Sequence, residues 1–137
     1  SKLNVKNLYI TNRTEERAKQ LVQFINNVLN RKIEFIPFNQ LETLKPVDII
    51  VNATPLGMEG IKEELEIPSS IIREGTTAID LVYNPPVTNF LKTASSLGAK
   101  TLNGIKMLVY QGITSFKIWT DLEPPVDIME EALKGCL

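Results

Sequence analysis

The chain has 137 residues, enough for one domain with a buried core, and a net charge of −1 with acidic and basic residues interspersed. This balance argues against a broad surface for nucleic acid or membrane, although it leaves room for a local basic pocket. A single cysteine, Cys136, and the absence of histidine exclude an internal disulfide and any histidine-based catalytic or metal site in this chain. The sequence has no run of about 20 apolar residues and no signal-peptide pattern, so we expect a cytoplasmic protein.

The first half of the chain predicts three strands and one long helix. Thr14 is a candidate N-cap, and apolar residues recur at helical spacing from Ala18 to Val28. The expected elements are, in order, a strand over residues 5–11, a helix after Thr14, a strand over 33–38 and a strand over 47–54.

The second half continues the alternation of strands and helices. Thr88 is placed to cap a helix that Gly98 closes, and two prolines precede the final helix. The expected elements are, in order, a short helical segment near 69–73, a strand over 76–83, a helix between Thr88 and Gly98, a strand over 99–103, a helix over 104–120 and a helix from Pro125 to about Lys134.

Alternating strands and helices, with strands apolar on both faces, predict an α/β fold in which helices cover both faces of a parallel sheet. Such sheets bind ligands beyond the carboxyl ends of their strands. Polar residues interrupt the apolar runs at three of these ends, namely Asn12 and Thr14, Asn52 and Thr54, and Asp80 and Tyr83. We therefore expect the ligand at this edge of the sheet.

The stretch Asn12-Arg13-Thr14, followed by Arg17, is typical of an anion-binding turn. A turn that enters a helix offers free backbone N–H groups, and two guanidinium groups four residues apart suit a phosphate. In dinucleotide-binding folds a carboxylate at this strand end selects the 2′-OH of NAD, whereas arginine accommodates the 2′-phosphate of NADP. No carboxylate stands there, so the stretch predicts NADP. A capped helix with solvated arginines is the alternative interpretation.

Two further stretches are compatible with a ligand. In NATPLGM, residues 52–58, Gly57 permits a tight turn that lets a flat ring or a pyrophosphate approach the backbone, although an ordinary loop exit has the same composition. Met107 and Gln111 lie one turn apart on the last long helix, after Gly104, and the Gln amide suits a hydroxyl or a carboxylate. A lone Gln is more often a solvated surface residue.

Together these stretches resemble the NADP-binding half of shikimate dehydrogenase. The resemblance includes NRTEERA at 12–18, NATPLGM at 52–58, and residues 79–120 with their D-x-x-Y-x-P and M-L-x-x-Q elements. NRT alone also resembles glutamyl-tRNA reductases, which do not share the closing segment. The resemblance runs from about residue 5 to about 133 and implies a Rossmann-like, C-terminal, partial NADP-binding domain over residues 1–137.

The resemblance also implies roles for individual residues. Those that would hold the 2′-phosphate of NADP are Asn12, Arg13, Thr14 and Arg17. Those that would lie along the rest of the cofactor are Asn52, Ala53, Thr54, Leu81 and Val82, with Gly104 and Met107 at the nicotinamide. Those that would face the substrate are Tyr83 and Gln111. Lys106 stands where the family usually has a small residue, and its stem would either crowd the nicotinamide or leave its charge in water.

The implied reaction is the reversible, NADP-dependent reduction of 3-dehydroshikimate to shikimate in aromatic amino-acid biosynthesis. The family's substrate domain, with its catalytic Lys and Asp, has no counterpart here, nor have the first Rossmann strand and glycine-rich loop. The chain would begin near the end of the first Rossmann helix, at residues 1–4. We expect the missing domain in the same parent chain or in another chain.

By itself, the chain is therefore expected to lack shikimate oxidation and to bind NADP weakly. Two alternatives stay open. One is a relative that accepts quinate, because most substrate contacts lie in the domain that is absent. The other is a non-catalytic nucleotide-binding or interaction module.

Overall fold

A computed structural model of the chain describes residues 5–29 and 32–136. The chain divides into two compact units, Ser1–Lys45 and Pro46–Leu137. The predicted helix end at residues 1–4 lies outside the described residues. Over the described part of the chain, every helix is too short or too polar to traverse a lipid bilayer.

The first unit contains a small parallel sheet. Strand β1 (Tyr9–Ile10) pairs with β2 (Glu34–Phe35), and a 3₁₀ helix follows at Phe38–Thr43. The predicted strands at 5–11 and 33–38 were too long, because only two residues of each chain segment pair in the ladder. The 3₁₀ helix was not predicted. It begins directly after Pro37, whose backbone is extended.

Helix α1 (Glu15–Leu29) connects these two strands and begins directly after Thr14, as the capping pattern predicts. The carbonyl of Thr14 accepts a bond from the N–H of Ala18 at 3.4 Å. Ala18 is buried, but Leu21 and Val28 are 47% and 62% exposed, so the predicted apolar stripe is only partly buried.

The second unit contains a three-stranded parallel sheet with β4 in the centre. Its strands are β3 (Ile49–Asn52), β4 (Thr77–Asp80) and β5 (Lys100–Leu102), and Asn52 lies beside Asp80 in the register. The α/β prediction is confirmed, although each strand is shorter than predicted. The polar side chains of Asn52 and Asp80 end their strands side by side.

Three helices and a 3₁₀ turn complete the second unit. They are a 3₁₀ turn at Ser69–Ile71, α2 (Asn89–Ser96), α3 (Ile105–Thr120) and α4 (Val126–Cys136). Helix α2 packs on β4 and β5, and α3 packs on α4. Thr88 caps α2 as predicted, and Gly98 follows that helix at φ +83°. Trp119, near the end of α3, is 81% exposed.

Candidate functional site

In the first unit, the predicted anion-binding turn is formed by the side chain of Asn12. Its Oδ1 accepts a bond from the backbone N–H of Thr14 at 2.8 Å, which fixes the turn just before α1. The first backbone N–H groups of a helix have no carbonyl partner within it, so they face the region where this turn ends. The turn therefore has the polarity that an anion requires.

Arg13 and Arg17 are exposed beside this turn. The two carboxylates of the first turn of α1 have other partners, because Glu15 pairs with Lys19 at 3.0 Å and Glu16 accepts from Gln20 at 3.1 Å. Within residues 5–29 and 32–136, no carboxylate lies within 4.0 Å of either arginine. Both guanidinium groups are thus available to a phosphate.

In the second unit, the side chain of Asn52 organises the turn that follows β3. Asn52 is buried and its Oδ1 accepts from both the N–H and the Oγ1 of Thr54, at 3.0 and 2.7 Å. Its Nδ2 donates to the carbonyl of Leu56 and to Oδ1 of Asp80, at 3.2 and 3.0 Å. All four hydrogen-bonding positions of the amide are occupied within the protein.

Asp80 accepts three hydrogen bonds in the same buried cluster. Besides Asn52, the N–H of Val82 donates to Oδ1 at 3.0 Å and the hydroxyl of Thr88 donates to Oδ2 at 2.6 Å. The Thr88 hydroxyl also accepts from the N–H of Leu91 and so caps α2. Asp80 is 0% exposed, and a carboxylate is tolerated at such a site only where donors surround it.

Gly104 brings the start of α3 against the beginning of the loop that follows β4, residues 81–88, which we call the Tyr83 loop. Its N–H donates to the carbonyl of Val82 at 3.0 Å, and a β-carbon there would lie 2.2 Å from the carbonyl oxygen of Leu81. At this position, therefore, the protein's own backbone packs closely against Gly104.

The remaining predicted residues of the second unit differ in how exposed their side chains are. Tyr83 is 37% exposed and Met107 is 42% exposed, and Ala53, Lys106 and Gln111 are also exposed. Thr54 and Leu81 are half-buried, and Val82 is buried. Gln111 lines an apolar groove of about 440 Å³ between α3 and α4, with Trp119 and Met129.

A second cavity lies beside the same loops. It has a volume of about 530 Å³ and lies between residues 57–64 and residues 84–86. Gly57 forms the tight turn predicted for it, at φ +85°, and its N–H donates to the carbonyl of Glu63. The described residues contain no cluster of three or more potential metal ligands.

Sequence reasoning placed Asp80 at the predicted ligand edge without assigning it a contact, and it gave no site role to Thr88 or Asn103. Asn103 donates to the carbonyl of Pro86 at 3.1 Å and accepts from the N–H of Ile105, so it joins the Tyr83 loop to α3. The only signal in the sequence was that Asp80 ends an apolar strand and that Thr88 precedes a helix. Neither position indicates that the two side chains meet.

Comparison with known proteins finds relatives of this chain. A family model described as the shikimate 5′-dehydrogenase C-terminal domain matches residues 104–134. A shikimate dehydrogenase (NADP⁺) from Methanocaldococcus jannaschii is 45% identical over 130 residues, which are 93% of this chain and 46% of that protein. The chain is related to the shikimate dehydrogenases. It spans about half the length of the curated relatives it matches.

Solved structures of shikimate dehydrogenases and related enzymes share the fold. A shikimate dehydrogenase in complex with NADP⁺ is 40% identical, with a TM-score of 0.83 over 94% of this chain and 46% of that one. A quinate dehydrogenase from Corynebacterium glutamicum in complex with NAD is 32% identical, with a TM-score of 0.83 over 98% of this chain and 48% of that one. The Rossmann-like architecture expected for a shikimate dehydrogenase relative is thereby confirmed.

Proposed function

We propose that this chain is the NADP-binding part of a shikimate dehydrogenase. The observation that carries the proposal is the 45% identity to a shikimate dehydrogenase (NADP⁺), which extends over 93% of the chain. The complete protein would catalyse the reversible, NADP-dependent reduction of 3-dehydroshikimate to shikimate. A Lys–Asp pair outside residues 1–137 would exchange the proton.

Within this proposal, the first unit holds the adenosine end of the cofactor. Asn12, Thr14 and the start of α1 provide the turn, and Arg13 and Arg17 provide two guanidinium groups that no described carboxylate neutralises. A charge-assisted bond to a phosphate contributes about 1.5–3 kcal/mol. Two such groups are therefore sufficient to favour a 2′-phosphate over a 2′-OH.

The second unit would hold the nicotinamide end and part of the substrate. Ala53, Thr54, Leu81 and Val82 would lie along the cofactor with their backbone, since the side chain of Asn52 is fully engaged inside the protein. Gly104 and Met107 would border the nicotinamide. When bound, the cofactor supplies or accepts the hydride, and the chain's own residues orient it.

Tyr83 and Gln111 would contact the substrate through exposed polar groups. The phenol and the amide can each donate and accept a hydrogen bond, which suits a polyhydroxylated carboxylic acid. The likeness to a quinate dehydrogenase structure, at a TM-score of 0.83, favours a second candidate in which quinate is also accepted.

The test is an assay of the complete protein with shikimate and with quinate, each in the presence of NADP and of NAD. We expect turnover of shikimate with NADP, and a kcat/KM with NAD that is lower by about 100-fold or more, because two phosphate contacts are lost. Turnover of quinate as efficient as that of shikimate would favour the second candidate. Nucleotide binding without oxidation of either compound would favour a non-catalytic module and contradict the proposal.

A further inference from the structure

A single buried carboxylate joins the loops that follow β3 and β4, and the loop that follows β5 is bonded to the second of these. Through Asn52, Asp80 is connected to the turn at Thr54 and Leu56, and through the N–H of Val82 it is connected directly to the Tyr83 loop. The loop after β5 is held in turn by the Tyr83 loop, because the N–H of Gly104 donates to the carbonyl of Val82.

The same carboxylate also holds the far end of the Tyr83 loop. Its Oδ2 accepts from the hydroxyl of Thr88, which caps α2, so the loop is fixed at both ends by the two oxygens of one side chain. Asn52, Asp80 and Thr88 are all at least 97% buried. All three side chains are thus inside the protein, yet the loops they hold carry the exposed residues of the candidate site.

We propose that Asp80 is a positioning residue, which sets the loops that present the nicotinamide and the substrate without touching either. This inference rests on the proposed function for its catalytic consequence. The physical reason is that hydride transfer depends on the distance and angle between two reacting carbons, so a loop displacement of about 1 Å lowers the rate by up to about 100-fold. Binding of the adenosine end depends on Arg13 and Arg17, which belong to the other unit.

The chain offers a matched pair of threonines for the test. Thr88 and Thr76 are both buried, and each hydroxyl donates one bond and accepts one backbone N–H. Thr76 lies at the amino end of β4, where it donates to the carbonyl of Val47, and Thr88 contacts Asp80 at the carboxyl end. Thr88→Val and Thr76→Val therefore remove the same chemical group at similar burial.

In the complete protein, we expect Thr88→Val and Asp80→Asn to lower kcat by about 10–100-fold. The KM for NADP should change by less than about twofold, because the phosphate contacts are untouched. The primary deuterium isotope effect from NADPH labelled at the transferred position should increase, as hydride transfer becomes slower than the other steps. Thr76→Val should keep the wild-type isotope effect and the wild-type kcat per folded molecule. This should hold even if its melting temperature falls as far as that of Thr88→Val. Thr88→Ser, which keeps the hydroxyl, should restore kcat.

A readout without ligand accompanies the kinetics. Amide hydrogen exchange at Thr54 and Val82 should accelerate about tenfold or more in Thr88→Val and Asp80→Asn, relative to amides inside β4. In Thr76→Val the exchange rates of these two amides should increase only as much as those of the other amides in the sheet. If Asp80→Asn fails to fold, the comparison of Thr88→Val with Thr76→Val still tests whether the cluster positions the loops.

Equal effects of Thr88→Val and Thr76→Val on kcat, isotope effect and exchange would overturn the inference, since the cluster would then be only a source of stability. If the wild-type protein oxidises neither shikimate nor quinate, the proposed function fails. In that case exchange at Thr54 and Val82 alone decides whether Asp80 positions the loops.

Discussion

The α-carbon of Gly104 lies against the carbonyl of Leu81, with room for a hydrogen atom but not for a methyl group. A β-carbon would be 2.2 Å from the oxygen and 2.7 Å from the carbonyl carbon. Both contacts are to backbone, which cannot rotate away as a side chain can.

Gly104→Ala is accordingly expected to shift the start of α3 and to destabilise the chain by at least about 1–3 kcal/mol, the usual cost of overpacking. Urea unfolding measures the loss. Gly112→Ala is the control, because its β-carbon would meet only the mobile end of Met129 at 3.2 Å and alanine favours a helix. If both variants have the same unfolding midpoint, the contact with Leu81 does not constrain α3.

Substitution of Arg13 or Arg17 should affect NADP far more than NAD. We expect Arg13→Ala and Arg17→Ala each to raise the Kd for NADP about tenfold or more, by loss of a charge-assisted phosphate bond, and to change the Kd for NAD less than about threefold. Calorimetric titration of the complete protein with each cofactor measures both values.

Arg73→Ala is the matched control for the arginine variants. Arg73 pairs with Asp48 at 2.7 Å in the second unit, and both side chains are mostly exposed. The same loss of charge there should leave the preference for NADP unchanged. Were Arg73→Ala to weaken NADP binding as much as Arg13→Ala, the effect would reflect net charge and not a phosphate clamp.

Asn26 should be the polar residue of α1 that is most sensitive to substitution. Its Nδ2 donates to the carbonyl of Ile33 at 3.0 Å and its Oδ1 accepts from the N–H of Ile33 at 2.7 Å, so one side chain joins the helix to the start of β2. Asn26→Ala leaves both backbone groups of a buried residue without partners, and we expect a loss of about 1–3 kcal/mol. Asn27→Ala, on the exposed neighbouring position, should cost less than about 0.5 kcal/mol. Chemical unfolding and amide exchange in α1 measure the loss of stability in the two variants.

Lys106 is expected to leave its charge in water. It is exposed, and across the described residues no carboxylate pairs with it. Lys106→Gly should therefore change the KM for NADP less than about twofold and destabilise α3 by up to about 1 kcal/mol through helix propensity. Lys106→Ala also removes the lysine side chain but keeps a high helix propensity, so it separates the two effects. A large improvement in KM for either variant would indicate that the lysine stem crowds the nicotinamide.

The helices could be predicted from the sequence because their signals are local. Thr88 and Gly98 bracket α2, and both the cap and the left-handed glycine are present. Strand lengths could not be predicted in this way, because a strand ends where its partner ends: Val5 belongs to the predicted strand, but the paired residues begin at Tyr9. A six-residue 3₁₀ helix has too few turns to leave a periodic pattern.

The candidate site was predictable only where a residue acts through its own local turn, as Asn12 does with Thr14. Asp80 and Asn52 are 28 residues apart, and their hydrogen bond depends on the register of β3 against β4. A polar residue at the end of a strand could equally contact solvent. Fold-level pairing, which the sequence does not encode locally, decides that this carboxylate is buried and surrounded by donors.

The separation between residues that hold the loops and residues that the loops display has a practical use for protein engineering. Asn52, Asp80, Thr88 and Gly104 form the frame, whereas the exposed side chains at 53, 83, 106, 107 and 111 take no part in it. Combinatorial libraries confined to the displayed positions should yield a high fraction of folded variants with altered ligand preference. Libraries that include the frame should yield mostly misfolded or inactive ones, whichever ligand is selected.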